Sequence, residues 1–182
     1  MKQIFTLIAL IFAAILTSHD VYAQEVRSDS AKLDPVISVQ KDYSLDTRTV
    51  AVRNVFKRYN SPLVDQAAFY VKYADEFGVD WKLLPAISGL ESTFGRFLMP
   101  GSYNAYGWGG GRIYFESWED GIRIITKSIR ENYMDRWGAT DVWSIGPIYA
   151  ESPTWSVRVN RFMQEIEAEY QSLSTFKMAL NI

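Results

Sequence analysis

The chain has 182 residues, 48% hydrophobic and 22% charged, with a formal net charge of -2. That suits one compact domain plus appendages and offers no Lys/Arg concentration of the kind nucleic acid demands. There is no cysteine, and the single histidine is His19, inside the leader described next. Beyond that leader, disulfides, thiolate metal sites, cysteine nucleophiles, serine–histidine triads and histidine-ligated zinc are excluded. Carboxylates, Tyr, Ser, Thr, Lys and Arg must carry any chemistry, with no cofactor and no metal expected.

Residues 1–23 read as a signal peptide. Lys2 gives a positive start, Ile4 to Leu16 is apolar apart from Thr6, and Val21 and Ala23 suit a signal peptidase before Gln24. The apolar run is shorter than the roughly 20 residues that span a bilayer comfortably. An uncleaved anchor is the alternative, and would be the only membrane contact expected. Either way the remainder faces outward: secreted, periplasmic or in the cell envelope. Residues 24–46 are polar without periodicity, the composition of a flexible spacer.

A short helix over 47–59 follows from Ala51, Val52, Val55, Phe56 and Tyr59 at helical spacing. The main domain is expected over 60–175, with a tail at 176–182. Ser61 and Pro62 should open the next helix, running to Phe77 with Leu63, Ala67, Tyr70, Val71 and Ala74 inward and Gly78 ending it. Asp80 should cap a helix from Trp81 to Thr93. Gly95 to Gly111 then reads as an irregular glycine and aromatic loop, or a small hairpin. Ser117 should cap a helix to Tyr133 with Ile122, Ile125 and Ile129 inward. A short helix from Asp141 to Ala150 follows. Ser152-Pro153 opens a long last helix whose stripe is Trp155, Val159, Phe162, Ile166 and Tyr170. The fold class is all-α, a bundle of short helices around the Trp81–Thr93 helix.

Glu91 is the anomaly in this pattern. Leu84 and Ile87 lie seven and four residues before it, so the carboxyl shares the apolar face of a core helix. Burial there would raise its pKa and let it keep a proton for a leaving oxygen. Two readings stay open at this point: a general acid, or a core glutamate paired with Arg96, Arg123 or backbone amides.

Four stretches in order carry a family resemblance. They are Gly78-Val79-Asp80-Trp81 through Glu91-Ser92-Thr93-Phe94-Gly95; Asn104-Ala105-Tyr106-Gly107-Trp108-Gly109; Phe115-Glu116-Ser117-Trp118-Glu119-Asp120-Gly121; and Tyr149-Ala150-Glu151-Ser152-Pro153-Thr154-Trp155. Together they resemble lysozyme-like glycan hydrolases and lytic transglycosylases. The nearest likeness is to the glucosaminidase family, the mannosyl-glycoprotein endo-β-N-acetylglucosaminidase-like domain of bacterial autolysins. It covers roughly Ser61 to Glu169, and its specificity lies in the order of the motifs rather than in any one. The resemblance implies a lysozyme-like bundle, peptidoglycan or a related β-1,4 N-acetylated glycan as substrate, Glu91 as catalytic acid, and Tyr149 beside the reacting sugar. The Tyr-Asn-Ala-Gly stretch common in lytic transglycosylases is absent.

Glycoside cleavage usually employs a second carboxylate. Glu116, Glu119 and Asp120 are the candidates, with Glu116 best placed because it precedes the Ser117–Asp120 capping box. The alternative is that these acids only favour a helix N-terminus, and that the substrate's own N-acetyl carbonyl or 6-hydroxyl attacks the anomeric carbon. Tyr149 likewise reads either as a residue at the reacting ring or as a core tyrosine bonded to backbone. The expected substrate-binding set is Ser92, Asn104, Tyr106, Gly107, Trp108 and Trp118, aromatic faces and close-approaching backbone around the glycine loop. The protein is expected to act as a monomer.

Overall fold

A computed structural model describes residues 41–180. The leader, spacer residues 24–40 and residues 181–182 lie outside the described residues.

Six α-helices and no strand occur among the described residues. They are α1 (Thr47–Arg58), α2 (Ala67–Phe77), α3 (Leu83–Ser92), α4 (Trp118–Ser128), α5 (Val142–Tyr149) and α6 (Trp155–Ala179). The all-α expectation holds, while the small hairpin does not form: 95–117 is a chain of turns. None of these helices is long and apolar enough to cross a membrane.

The helix starts show which capping signals act. Asp46 caps α1 through Arg48 N–H, and Ser117 caps α4 through Asp120 N–H. Asp141 and Ser144 make a reciprocal capping box at α5. Around Ser117 the box is displaced, because Asp120 accepts from the Glu116 N–H instead. Ser61 and Asp80 act one turn early. Ser61 Oγ accepts from Leu63 N–H and donates to the Phe94 carbonyl at 2.6 Å, so Pro62 opens a turn and a 3-10 segment, Val64–Gln66, ahead of α2. Asp80 accepts from Lys82 N–H, and α3 begins at Leu83. Gly78, at φ 65°, ends α2 in the left-handed conformation.

Two ends differ from expectation. Past Ser128 the helix widens into a π-helical segment, Ile129–Arg136, which carries Tyr133 toward α5. The last helix runs on to Ala179, so residues 176–179 of the expected tail are helical.

α3 is the buried centre. Every residue from Leu83 to Gly89 is buried, and α6 packs along it while also covering α1. Phe56 of α1, Tyr70 of α2, Phe94 and Phe162 interlock at ring separations of 5.1 to 5.5 Å. Full burial of such side chains contributes about 1.5–3 kcal/mol each. Gly89 is required here, since a Cβ would sit 2.7 Å from the Phe94 ring. After Ser92 the chain reverses through Thr93 (φ 51°) and Phe94 (φ 56°). A β-branched residue in that region costs about 1–3 kcal/mol. The reversal stops α3 one residue past Glu91 and leaves that carboxyl at the domain surface.

Candidate active site

Glu91 stands in the last turn of α3, on the face that begins with Leu84 and Ile87. Those two are buried, but Glu91 is exposed. The expected burial is therefore corrected. Periodicity places the residue on the inward face, yet beyond Ile87 that face is no longer covered. The segment returning over it is the Tyr106–Gly107 turn. Gly107 (φ 66°) has no side chain to close the gap, and a Cβ there would lie 2.9 Å from Glu91 Oε2.

The other carboxylate oxygen is fixed. The Trp155 indole N–H, at the start of α6, donates to Glu91 Oε1 at 2.8 Å. Trp155 is only 3% exposed, so its N–H needs an internal acceptor, and Glu91 is that acceptor. Neither Arg96 nor Arg123 pairs with Glu91 among the described residues; Arg123 bonds Asp120 instead. The result is a carboxylate with one oxygen oriented by the protein and the other open to a ligand.

Aromatic faces surround it. Trp155 stacks on Tyr149, with centroids 4.7 Å apart and planes at 25°. Tyr149 in turn lies 5.9 Å from both Trp108 and Tyr133, and Tyr133 meets Trp137 at 5.4 Å. The Tyr149 hydroxyl donates to the Tyr106 carbonyl at 2.6 Å, so its proton is committed to the backbone. Burial first, then the Glu91 charge, hold this phenol well above the usual range, and it stays protonated. Tyr149 is thus a backbone-bonded tyrosine, one of the two readings left open in the sequence, and it stacks on the indole that holds the candidate acid.

The expected binding residues divide into two groups. Gly107 and Trp108 border Glu91 and its aromatic wall. Ser92, Asn104 and Tyr106 are buried and bonded into the framework beneath the glycine loop. Ser92 Oγ faces the Ser88 and Ala105 carbonyls and accepts from Gly95 N–H. Asn104 donates to the Trp108 and Ile113 carbonyls and accepts from Trp108 N–H, a three-bond clamp on the glycine loop. The Tyr106 hydroxyl meets that of Tyr70 at 2.9 Å. Trp118 packs edge-on against Tyr103 and beside Gly95, which places it in the loop's support.

The acids weighed as a partner for Glu91 are engaged elsewhere or stand apart. Glu119 accepts from the Tyr73 hydroxyl at 2.7 Å, and Asp120 pairs with Arg123. Glu116 is exposed, and no hydrogen bond joins it to Glu91. Among the described residues, no three His, Cys, Asp or Glu side chains gather as a metal site.

Trp155 and Tyr133 are the site residues that sequence reasoning missed as such. Trp155 appears in the sequence only as a core stripe residue. The signal available was its indole N–H, which once buried must find an acceptor. Nothing in the sequence marks the π-helical turn that carries Tyr133 into the wall. No protein-family model matches the chain, and no curated protein matches it.

Proposed function

We propose that this protein is an exported, lysozyme-like glycosidase that cleaves β-1,4 bonds of peptidoglycan or a related N-acetylated glycan, with Glu91 as general acid. One observation carries the reading. A solvent-open carboxylate, oriented by a buried indole, sits at the rigid end of the core helix beside a wall of aromatic rings. Aromatic faces suit the apolar faces of pyranose rings, and a fixed carboxylic acid is what protonates a leaving glycosidic oxygen.

In this mechanism Glu91 delivers its proton to the bridging oxygen as the C1–O bond breaks. Among the described residues no second carboxylate is bonded to Glu91, so in this scheme the substrate's acetamido oxygen closes on C1 in its place. Water then opens that ring in a hydrolase. In a lytic transglycosylase the sugar's 6-hydroxyl attacks C1 instead and leaves an anhydro end. Tyr149, held neutral and bonded to Tyr106, supports the Trp155 ring that aims the acid. Glu116 has no step in this scheme.

The 2.8 Å indole bond also favours a second reading, in which Glu91 only satisfies Trp155 and the domain binds glycan without cutting it. Cell-wall clearing by the wild type and by Glu91→Gln separates the two, because glutamine keeps the acceptor oxygen and loses the acid. Equal clearing by both proteins removes Glu91 from catalysis. Mass spectrometry of the released fragments then assigns the reaction. An anhydro end marks a transglycosylase, a reducing N-acetylglucosamine end a glucosaminidase, and a reducing N-acetylmuramic end a muramidase.

A further inference from the structure

A second cleft lies on the other flank of α3. It encloses about 430 Å³ between α3 and α6, and Tyr59, Thr93, Arg158, Arg161, Phe162 and Glu165 contribute to its walls. Its charges are unbalanced. Glu165 is already occupied, accepting from Arg58 at 3.1 Å and from the Tyr59 hydroxyl at 2.8 Å. The ion pairs of this region are those of Arg58 with Glu165 and Glu169; none engages Arg158 or Arg161 among the described residues. Two guanidinium groups three residues apart on one helix therefore line a concavity whose one carboxylate, Glu165, is engaged by Arg58 and Tyr59, and neither guanidinium forms an ion pair among the described residues.

The wall opposite them is unusual as well. Thr93 stands in the left-handed region at φ 51°, a conformation that disfavours β-branched residues. Its hydroxyl takes no partner among the described residues. A helix end that needed only to turn would be served better by glycine. Here the strained residue presents a hydroxyl and a methyl to the cleft. Phe162 and Tyr59 supply apolar surface beneath.

Along the chain, the residues of the cleft also stand close to those of the candidate site. Thr93 follows Glu91 by two residues, and Arg158 follows the Glu91-bound Trp155 by one turn of α6. From these features we infer that the Arg158–Arg161 cleft is an oxyanion subsite for the free carboxylates of a peptide branch on the glycan. Guanidinium forks match planar carboxylates in paired hydrogen bonds, the Thr93 hydroxyl adds a further donor, and the apolar floor accepts the branch's aliphatic carbon. A bare sugar chain of N-acetylglucosamine carries no anion to place there. The subsite would therefore make the enzyme favour peptide-bearing glycan over an uncharged polymer. This assignment of substrate class rests on the proposed glycan activity, but the anion site can be tested apart from it.

The test is binding of a synthetic stem tetrapeptide with free carboxylates, compared with its fully amidated form. It is followed by NMR shift changes in the wild type, in Glu91→Gln, and in the double variant Arg158→Gln, Arg161→Gln. Both arginines are exposed and form no ion pair among the described residues, so the double variant should keep the wild-type melting temperature. The free-carboxylate peptide should bind the wild type and Glu91→Gln alike, with shifts at Thr93 and Phe162. Removing the two guanidiniums should weaken it by about tenfold or more, the scale of one or two charge-assisted bonds. Equal binding of the amidated peptide overturns the proposal, as does unchanged binding by the double variant. Inorganic phosphate competing as strongly as the peptide overturns the assignment to a carboxylate branch. In turnover, the double variant should lose rate on peptide-bearing glycan and keep it on N-acetylglucosamine oligomers; equal loss on both counts against the subsite. If neither polymer is cut by any variant, the glycosidase reading fails, while the peptide comparison still decides the anion site.

Discussion

Trp155 and Glu91, 64 residues apart in the chain, meet through a single 2.8 Å hydrogen bond from indole to carboxylate. That bond ties the start of the last helix to the end of the central one. It also gives Glu91 two separable duties, acceptor and acid, and substitutions can divide them.

Glu91→Gln keeps an acceptor oxygen for the indole and removes the transferable proton. Cleavage should fall by about 10²–10⁴-fold, the usual worth of a positioned general acid, with the melting temperature nearly unchanged. Glu91→Leu should abolish cleavage and also destabilise, by about 1–3 kcal/mol, because it leaves the buried indole N–H unbonded. Urea denaturation of the two variants, read beside a cell-wall clearing assay, checks both statements. Comparable destabilisation of both would mean that the bond needs the charge and not only the oxygen.

Gly107→Ala tests the open side of the carboxylate. The new methyl group would stand 2.9 Å from Glu91 Oε2, at a backbone angle of φ 66°. Stability should drop by about 1 kcal/mol from the left-handed backbone. The activity loss should be larger than that drop alone would cause, because the carboxylate must move or be covered. Binding of a sugar oligomer, measured with the cleavage rate, shows which occurs. A variant with wild-type turnover would show that Oε2 is not the oxygen facing substrate.

Asn104→Ala removes the clamp on the glycine loop. Three hydrogen bonds are lost, and the Trp108 N–H and the Trp108 and Ile113 carbonyls lose their side-chain partner. The cost should be about 2–4 kcal/mol at the net worth of such bonds, with amide exchange accelerated between Asn104 and Ile113. Asn104→Asp restores only the acceptor. It should recover part of the stability through Trp108 N–H and leave both carbonyls unbonded. Full stability in the alanine variant would show that these three bonds do not hold the loop.

Much of this fold is legible in the chain because its signals are local. Ala67, Tyr70, Val71 and Ala74 share one helical face and are all buried, as is Leu63 in the turn ahead of it; Gly78 ends that helix; and Ile122, Ile125 and Ile129 point inward as their spacing requires. The site is less legible because its properties depend on what comes from elsewhere. Periodicity puts Glu91 on the inward face but says nothing of whether that face is covered at that height, and the uncovering residue, Gly107, arrives from a loop without period. Asn104 shows the same limit. Its residue type permits ligand binding or loop bracing, and only the positions of the Trp108 and Ile113 carbonyls decide. The spacing places Trp155 in the core, where it is buried, but the acceptor of its N–H lies on another helix.

The buried phenols make the protein sensitive to alkali. Burial is the first cause that holds the hydroxyls of Tyr70, Tyr106 and Tyr149 above the usual range, with the Glu91 charge adding to it at Tyr149. In the unfolded chain these groups lose their protons near pH 10. In the folded chain they keep them. Above that pH the folded state binds more protons than the unfolded state, so stability falls as pH rises. Their stabilising contribution should be intact below about pH 10 and be lost progressively above it. Tyrosinate absorbance and far-ultraviolet circular dichroism, recorded through an alkaline titration, should then change together for these three residues, since ionising them requires opening the core. Tyr149→Phe should remove one of the three and make the fall in stability less steep. Smooth ionisation of all tyrosines with the helices still intact would show that these phenols are more accessible to solvent than the packing around Tyr70, Tyr106 and Tyr149 allows.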